Sequence, residues 1–130
     1  MFTITAVVEG QRHSATPAAF VFPGGESQVT VPAGLQAQAD TANEFRIHAL
    51  LKSADDVMQL LMLTDALRRL NPAVPVHLDM PYVPYARQDR VCNPGEALGA
   101  AVFCKLINDQ QYATVTICLL YTSDAADDTP

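Results

Sequence analysis

An α/β domain, with a mainly parallel sheet flanked by helices and a β-hairpin region ahead of it, is predicted from three observations. From Phe45 onward, short apolar strands alternate with helical periodicity, the pattern of a parallel sheet joined by right-handed crossovers. Nearer the N-terminus, Pro23-Gly24-Gly25-Glu26 separates two β-rich runs, and glycine's tolerance of positive φ suits it to a tight reversal. Hydrophobic residues make up 49% of the 130-residue chain and charged ones 17%, which allows one core and is too short for two comfortable domains.

Thr3–Val8 alternates, with Ile4 and Ala6 on one side, and reads as a strand. Ala18–Phe22 and Gln28–Val31 form the hairpin, and Pro32–Asn43 is a loop or weak helix. Phe45–Leu51 is a strand carrying Phe45, Ile47, Ala49 and Leu51 on one face and His48 on the other. Ser53 caps a helix whose first turn holds Asp55 and Asp56, where acids favour the helix dipole. Val57, Leu60, Leu61, Thr64 and Leu67 follow the spacing of a buried face, widened by Met58 and Met62. Asn71-Pro72 ends the helix. Val74–Met80 is a strand with Val76, Leu78 and Met80 facing inward and His77 and Asp79 facing away; that polar pair reads as a packing face in preference to a catalytic dyad. Asn93-Pro94-Gly95-Glu96 starts a helix with a capping acid, whose inward face is Leu98, Ala101, Val102 and Leu106, and Thr114–Ile117 begins another strand.

Composition excludes several classes. A formal charge of −6 argues against general nucleic-acid binding. No apolar stretch approaches the roughly 18–20 residues of a membrane helix, and the N-terminus lacks the basic-then-apolar pattern of a secretory signal, so a cytoplasmic protein is expected. Cys92, Cys104 and Cys118 have neither C-x-x-C spacing nor histidines at ligand distance, which points to reduced thiols.

The chemistry concentrates in Pro81-Tyr82-Val83-Pro84-Tyr85-Ala86-Arg87-Gln88-Asp89-Arg90. This run leaves the C-terminal end of a sheet strand, where open α/β sheets place ligands. Arginine forks suit phosphate oxygens, an amide reads a base edge, and a helix N-terminus follows. The residues alone leave two readings open: an anion-binding loop, or a solvated loop held by an Arg–Asp pair.

The same run, with Met80 before it, is similar to the P-Y-x-x-Y-A-R-Q-D-R signature of the ribose-phosphate pyrophosphokinases. The match continues through Pro94 and Glu96 to Leu106-Ile107-Asn108. Upstream, Leu60–Arg68 resembles the family's preceding helix, and Phe22-Pro23-Gly24-Gly25-Glu26 resembles its F-x-D-G-E hairpin. The resemblance implies a phosphoribosyltransferase-like domain, one of two in the full protein, which assembles as a homo-oligomer. It implies transfer of the terminal diphosphate of ATP to the anomeric hydroxyl of ribose 5-phosphate, with Mg²⁺, giving 5-phosphoribosyl 1-pyrophosphate and AMP. Arg87 and Gln88 would contact ATP, and Asp89 and Arg90 would shape the same loop. Phe22 would stack on adenine and Glu26 would contact it, both reaching into a neighbouring subunit's site; on the residues alone Phe22 reads as core. Gly24 replaces the family's acid. The family's metal-binding histidine, basic catalytic loop and ribose-phosphate loop are expected further along the sequence, so this chain alone is expected to be inactive, with no catalytic or metal-binding residues of its own.

Residues 1–117 are thus read as an incomplete N-terminal domain, and 118–130 as a separate tail. Cys118-Leu119-Leu120-Tyr121-Thr122-Ser123-Asp124-Ala125-Ala126-Asp127 corresponds to the translation of a transposase-type sequencing adapter and is expected to be foreign to the gene. Without Asp124, Asp127 and Asp128 the remainder has 11 acids against 8 bases, a charge of −3. Its last strand is expected to leave an uncovered sheet edge. A catalytically silent relative serving as a regulatory or interaction subunit is the alternative function, favoured by Gly24; an unrelated nucleotide-binding module is the third.

Overall fold

The computed structural model describes residues 1–117. The expected tail from 118 to 130 lies outside the described residues. A five-stranded mixed sheet has the order β2 (Gln11–Ala15), β1 (Phe2–Val8), β5 (Glu44–Ala49), β6 (Val76–Asp79), β7 (Thr114–Thr116), and a separate two-stranded sheet pairs β3 (Ala18–Val21) with β4 (Ser27–Thr30). In the larger sheet β1 (Phe2–Val8) pairs antiparallel with β2 (Gln11–Ala15) and β5 (Glu44–Ala49), while β5, β6 (Val76–Asp79) and β7 (Thr114–Thr116) run parallel. The parallel half follows from the strand–helix alternation, as expected.

Helix α2 (Ala54–Leu70) links β5 to β6, and α3 (Gly99–Asp109) links β6 to β7. Ser53 caps α2, its hydroxyl accepting from the Asp56 amide at 3.2 Å. Phe2, Ile4 and Ala6 of β1, Phe45, Ile47 and Ala49 of β5, and Val76 and Leu78 of β6 meet Val57, Leu60, Leu63 and Leu67 of α2 in one core. Full burial of each large side chain stabilises the domain by about 1.5–3 kcal/mol.

The opposite face is polar. One register line crosses all five strands: Ser14 opposite Thr5, Thr5 opposite Arg46, Arg46 opposite His77, His77 opposite Thr114. The Thr5 and Ser14 hydroxyls are 2.8 Å apart, Arg46 Nε meets Glu44 Oε2 at 2.6 Å, and His77 Nδ1 meets Thr114 Oγ1 at 2.7 Å. His77 Nε2 also lies 3.5 Å from Glu44 Oε1. His77 is therefore a cross-strand packing residue, as its alternation suggested, and its partners are Thr114 and Glu44.

The loop or weak helix expected over Pro32–Asn43 is a short helix α1 (Ala33–Gln36) and a 3-10 turn at Ala39–Thr41, which bury Leu35 and Ala39. Other expectations are corrected. The strand β2 was not foreseen, because Gln11-Arg12-His13-Ser14-Ala15 is an edge strand with little apolar content. On α2, Met58 is 54% exposed and the buried position near the helix centre is Leu63, with Leu61 only half-buried. The helix expected at Pro94 begins instead at Gly99, since Gly95 has φ +93°, outside the helical region. Its inward residues are Phe103 and Ile107, whereas Ala101, Val102 and Leu106 are exposed.

Candidate functional site

Two groups of the expected site residues sit on different parts of the fold. The first is the segment between β6 and α3. Met80 is buried, and its amide donates to the Thr116 carbonyl at 2.8 Å. Val83 packs against the core, so the root of the segment is fixed. From Tyr85 onward the side chains are exposed, including Arg87, Gln88, Asp89 and Arg90.

Their backbone is nevertheless ordered by local bonds. Tyr85 adopts φ +66°, and the Gln88 amide donates to its carbonyl at 2.9 Å. The Gln88 carbonyl in turn accepts from Ala100, also at 2.9 Å, satisfying one of the free amides at the start of α3. The Gln88 side chain lies over Gly99: a Cβ built there would come 2.9 Å from Gln88 Cδ and 3.1 Å from its Cβ. Tyr85 leans on Phe103, with ring centroids 6.0 Å apart. Arg90 Nε is 3.7 Å from Asp89 Oδ1, and both side chains are well exposed, so this pair contributes little to stability. Arg87 makes no ion pair among the described residues. The turn thus presents a free guanidinium and an amide at the C-terminal end of a sheet strand, where fork-shaped donors suit phosphate oxygens.

Beyond it, Glu96 ties a second turn. Its carboxylate accepts from the amides of Cys92 at 3.0 Å and Asn93 at 3.2 Å, and from the Asn93 side chain at 3.1 Å. The Asn93 side-chain bond first, then the two backbone bonds, hold the Glu96 carboxyl below its ordinary pKa. The acid's reach back to the Asn93 amide is present as expected, but the Glu96 amide donates to the Asn93 backbone carbonyl at 3.3 Å and not to its side chain, which closes a turn where a helix had been expected.

The second group is the hairpin of β3 (Ala18–Val21) and β4 (Ser27–Thr30). Its inner side rests on α2 through buried Val29 and a Gln59–Ser27 contact of 3.4 Å. Phe22 donates its amide to the Glu26 carbonyl at 2.7 Å and accepts from Gly25 at 2.8 Å, with Gly25 at φ +96°. Phe22 and Glu26 are exposed. The core reading of Phe22 is thereby overturned, because its side of the hairpin faces away from α2. Phe20, which the sequence reading passed over, packs against Phe22; the aromatic alternation Phe20-x-Phe22 was the available signal. No hydrogen bond, ion pair or aromatic contact joins this hairpin tip to residues 87–90 among the described residues.

Among the described residues no three His, Cys, Asp or Glu side chains assemble as a metal site, and no helix is long and apolar enough to cross a membrane. Cys92 and Cys104 are unpaired and exposed.

Residues 13–110 match the family model for the N-terminal domain of ribose phosphate pyrophosphokinase. The chain is 47% identical over 53 residues to a ribose-phosphate pyrophosphokinase of Campylobacter jejuni, covering 41% of this chain and 17% of the relative. It is 42% identical over 53 residues to a putative ribose-phosphate pyrophosphokinase 1 of Enterococcus faecalis, covering 41% of this chain and 16% of the relative. The matched stretch therefore spans about a sixth of either relative's length.

Proposed function

The chain belongs to the family of ribose-phosphate pyrophosphokinase N-terminal domains, and from that premise we propose that it is the ATP-contacting part of an enzyme transferring diphosphate from ATP to ribose 5-phosphate. The observation that carries this reading is the turn at residues 85–90, which holds Arg87 and Gln88 outward while the Gln88 backbone is bonded to Tyr85 and Ala100. Diphosphoryl transfer depends on positioning and on neutralising charge around the transferred group. Arg87 supplies positive charge to the polyphosphate, Gln88 contacts the nucleotide, and Asp89 and Arg90 shape the loop. Phe22 stacks on adenine with Glu26 beside it, a contact worth about 1–3 kcal/mol per base.

By the family resemblance, Phe22 and Glu26 serve the site of a neighbouring subunit in a homo-oligomer, while the turn at residues 85–90 serves the site of its own subunit. Mg²⁺ would shield the ATP phosphates, and the resemblance implies that its ligands lie mainly outside residues 1–117. The basic loop and ribose-phosphate loop implied by the resemblance have no counterpart in residues 1–117, and the chain by itself is proposed to be inactive. It acts in the cytoplasm.

Calorimetric titration with ATP tests the reading. Replacing both Arg87 and Gln88 by alanine should weaken binding at least about tenfold, the loss of one charged and one neutral hydrogen bond. Undiminished binding by that variant would favour an unrelated nucleotide module. Gly24, standing where the family has an acid, supports a second reading, a catalytically silent subunit. A full-length product that binds ATP without forming 5-phosphoribosyl 1-pyrophosphate would establish it.

A further inference from the structure

We infer that Phe20 is a positioning residue that sets the Phe22 ring for a flat nucleobase, an inference that rests on the reading of Phe22 as the stacking platform. Phe20 and Phe22 are two positions apart, so both project from the same side of the hairpin. That side faces away from α2, because the alternate positions Ala19 and Val21 pair with Val29 and Ser27, the residues that rest on the helix. Phe20 is 47% and Phe22 43% exposed, yet their centroids lie 4.8 Å apart at 74°. This is the edge-to-face geometry that aromatic pairs favour. A perpendicular neighbour occupies at most one face of Phe22 and leaves the other open to a ligand. The backbone beneath is already fixed by the Phe22–Glu26 and Gly25–Phe22 bonds. Holding the ring as well lowers the entropy lost when a base stacks on it.

Calorimetric titration of the full 130-residue chain with ATP and with inorganic tripolyphosphate separates base from phosphate recognition. Phe20→Ala and Phe20→Leu should each weaken ATP binding about two- to tenfold, the size of an aromatic pair contribution, and leave tripolyphosphate binding unchanged. Phe20→Tyr, which keeps the ring, should bind ATP like the parent. Retention of the Ser27 and Val29 amide resonances shows that each variant keeps the hairpin; a variant that loses them while Phe20→Tyr also fails to restore ATP binding counts against the inference.

Unchanged ATP affinity in Phe20→Ala, or equal losses for ATP and tripolyphosphate, overturns it. Phe22→Ala distinguishes the two levels. If that change weakens ATP binding and Phe20→Ala does not, only the positioning role fails. If neither change matters, or the parent binds ATP no better than tripolyphosphate, the stacking reading itself fails and takes this inference with it.

Discussion

The Thr64 and Tyr112 hydroxyls lie 2.6 Å apart, joining the middle of α2 to the turn that feeds β7. Thr64 spends its own proton on the Leu60 carbonyl at 2.9 Å, so Tyr112 is the donor between them. Tyr112→Phe removes that donor while leaving Thr64 bonded, and should cost about 0.5–1.5 kcal/mol. The measurement is the urea midpoint at unchanged slope.

The same phenol gives an alkaline signature. Burial raises the Tyr112 pKa above its ordinary value, with the nearby Arg68 charge opposing. A raised folded-state value means that the stabilisation is complete below the unfolded pKa of about 10 and is lost as pH rises through the folded value. Ultraviolet titration should show a late tyrosinate step that is missing in Tyr112→Phe. A phenol ionising at or below the unfolded value would contradict the burial argument.

Glu96 behaves in the opposite sense. Its carboxyl is held low, chiefly by the Asn93 side chain, so its contribution is present above the unfolded pKa of about 4.3 and fades as pH falls through the lower folded value. In an acid titration followed by NMR, the Cys92 and Asn93 amides should shift together with the Glu96 carboxyl. Glu96→Gln should abolish the shared transition.

Two neighbouring apolar positions on α2 should respond very differently to truncation. Leu63 is fully buried, and Leu63→Ala should destabilise the domain by about 2–5 kcal/mol. Met58 is mostly in solvent, and Met58→Ala should change stability by no more than about 0.5 kcal/mol. Thermal or urea unfolding of the pair decides.

Gly99→Ala places a methyl group where the Gln88 side chain now rests. Both the Gln88 amide and its Cβ crowd that methyl group, so the side chain must shift from its present place. ATP affinity should fall, which calorimetric titration would reveal. Unaltered affinity would show that the position of Gln88 is immaterial to the ligand.

Helix α2 was legible because Ser53, the two aspartates and the apolar spacing all point to the same element. The run Leu60-Leu61-Met62-Leu63 is apolar on every side, so spacing could not choose Leu63 over Leu61. The same ambiguity misassigned the inward face of α3, whose Ala-Ala-Val-Phe-Cys stretch offers no polar marker of the solvent side. Nothing in Asn93-Pro94-Gly95-Glu96 distinguishes an acid that opens a helix from one that closes a turn; the positive φ of Gly95 decides it. The loop from Pro81 to Arg90 was legible from its density of arginine, amide and tyrosine. The exposure of Phe22 was not, since an aromatic on a β-rich run ordinarily faces inward, and its orientation depends on how the hairpin meets α2.

The line of side chains from Ser14 through Thr5, Arg46 and His77 to Thr114 constrains whatever lies against that side of the sheet. A greasy surface laid over it would strip water from the Arg46 guanidinium and the Glu44 carboxylate, leaving them only each other and His77. Ions removed from solvent with so few partners are expensive to keep. A neighbouring layer must therefore arrive with hydroxyls, amides or trapped water of its own, which makes this side a chemical filter on what the domain tolerates next to it.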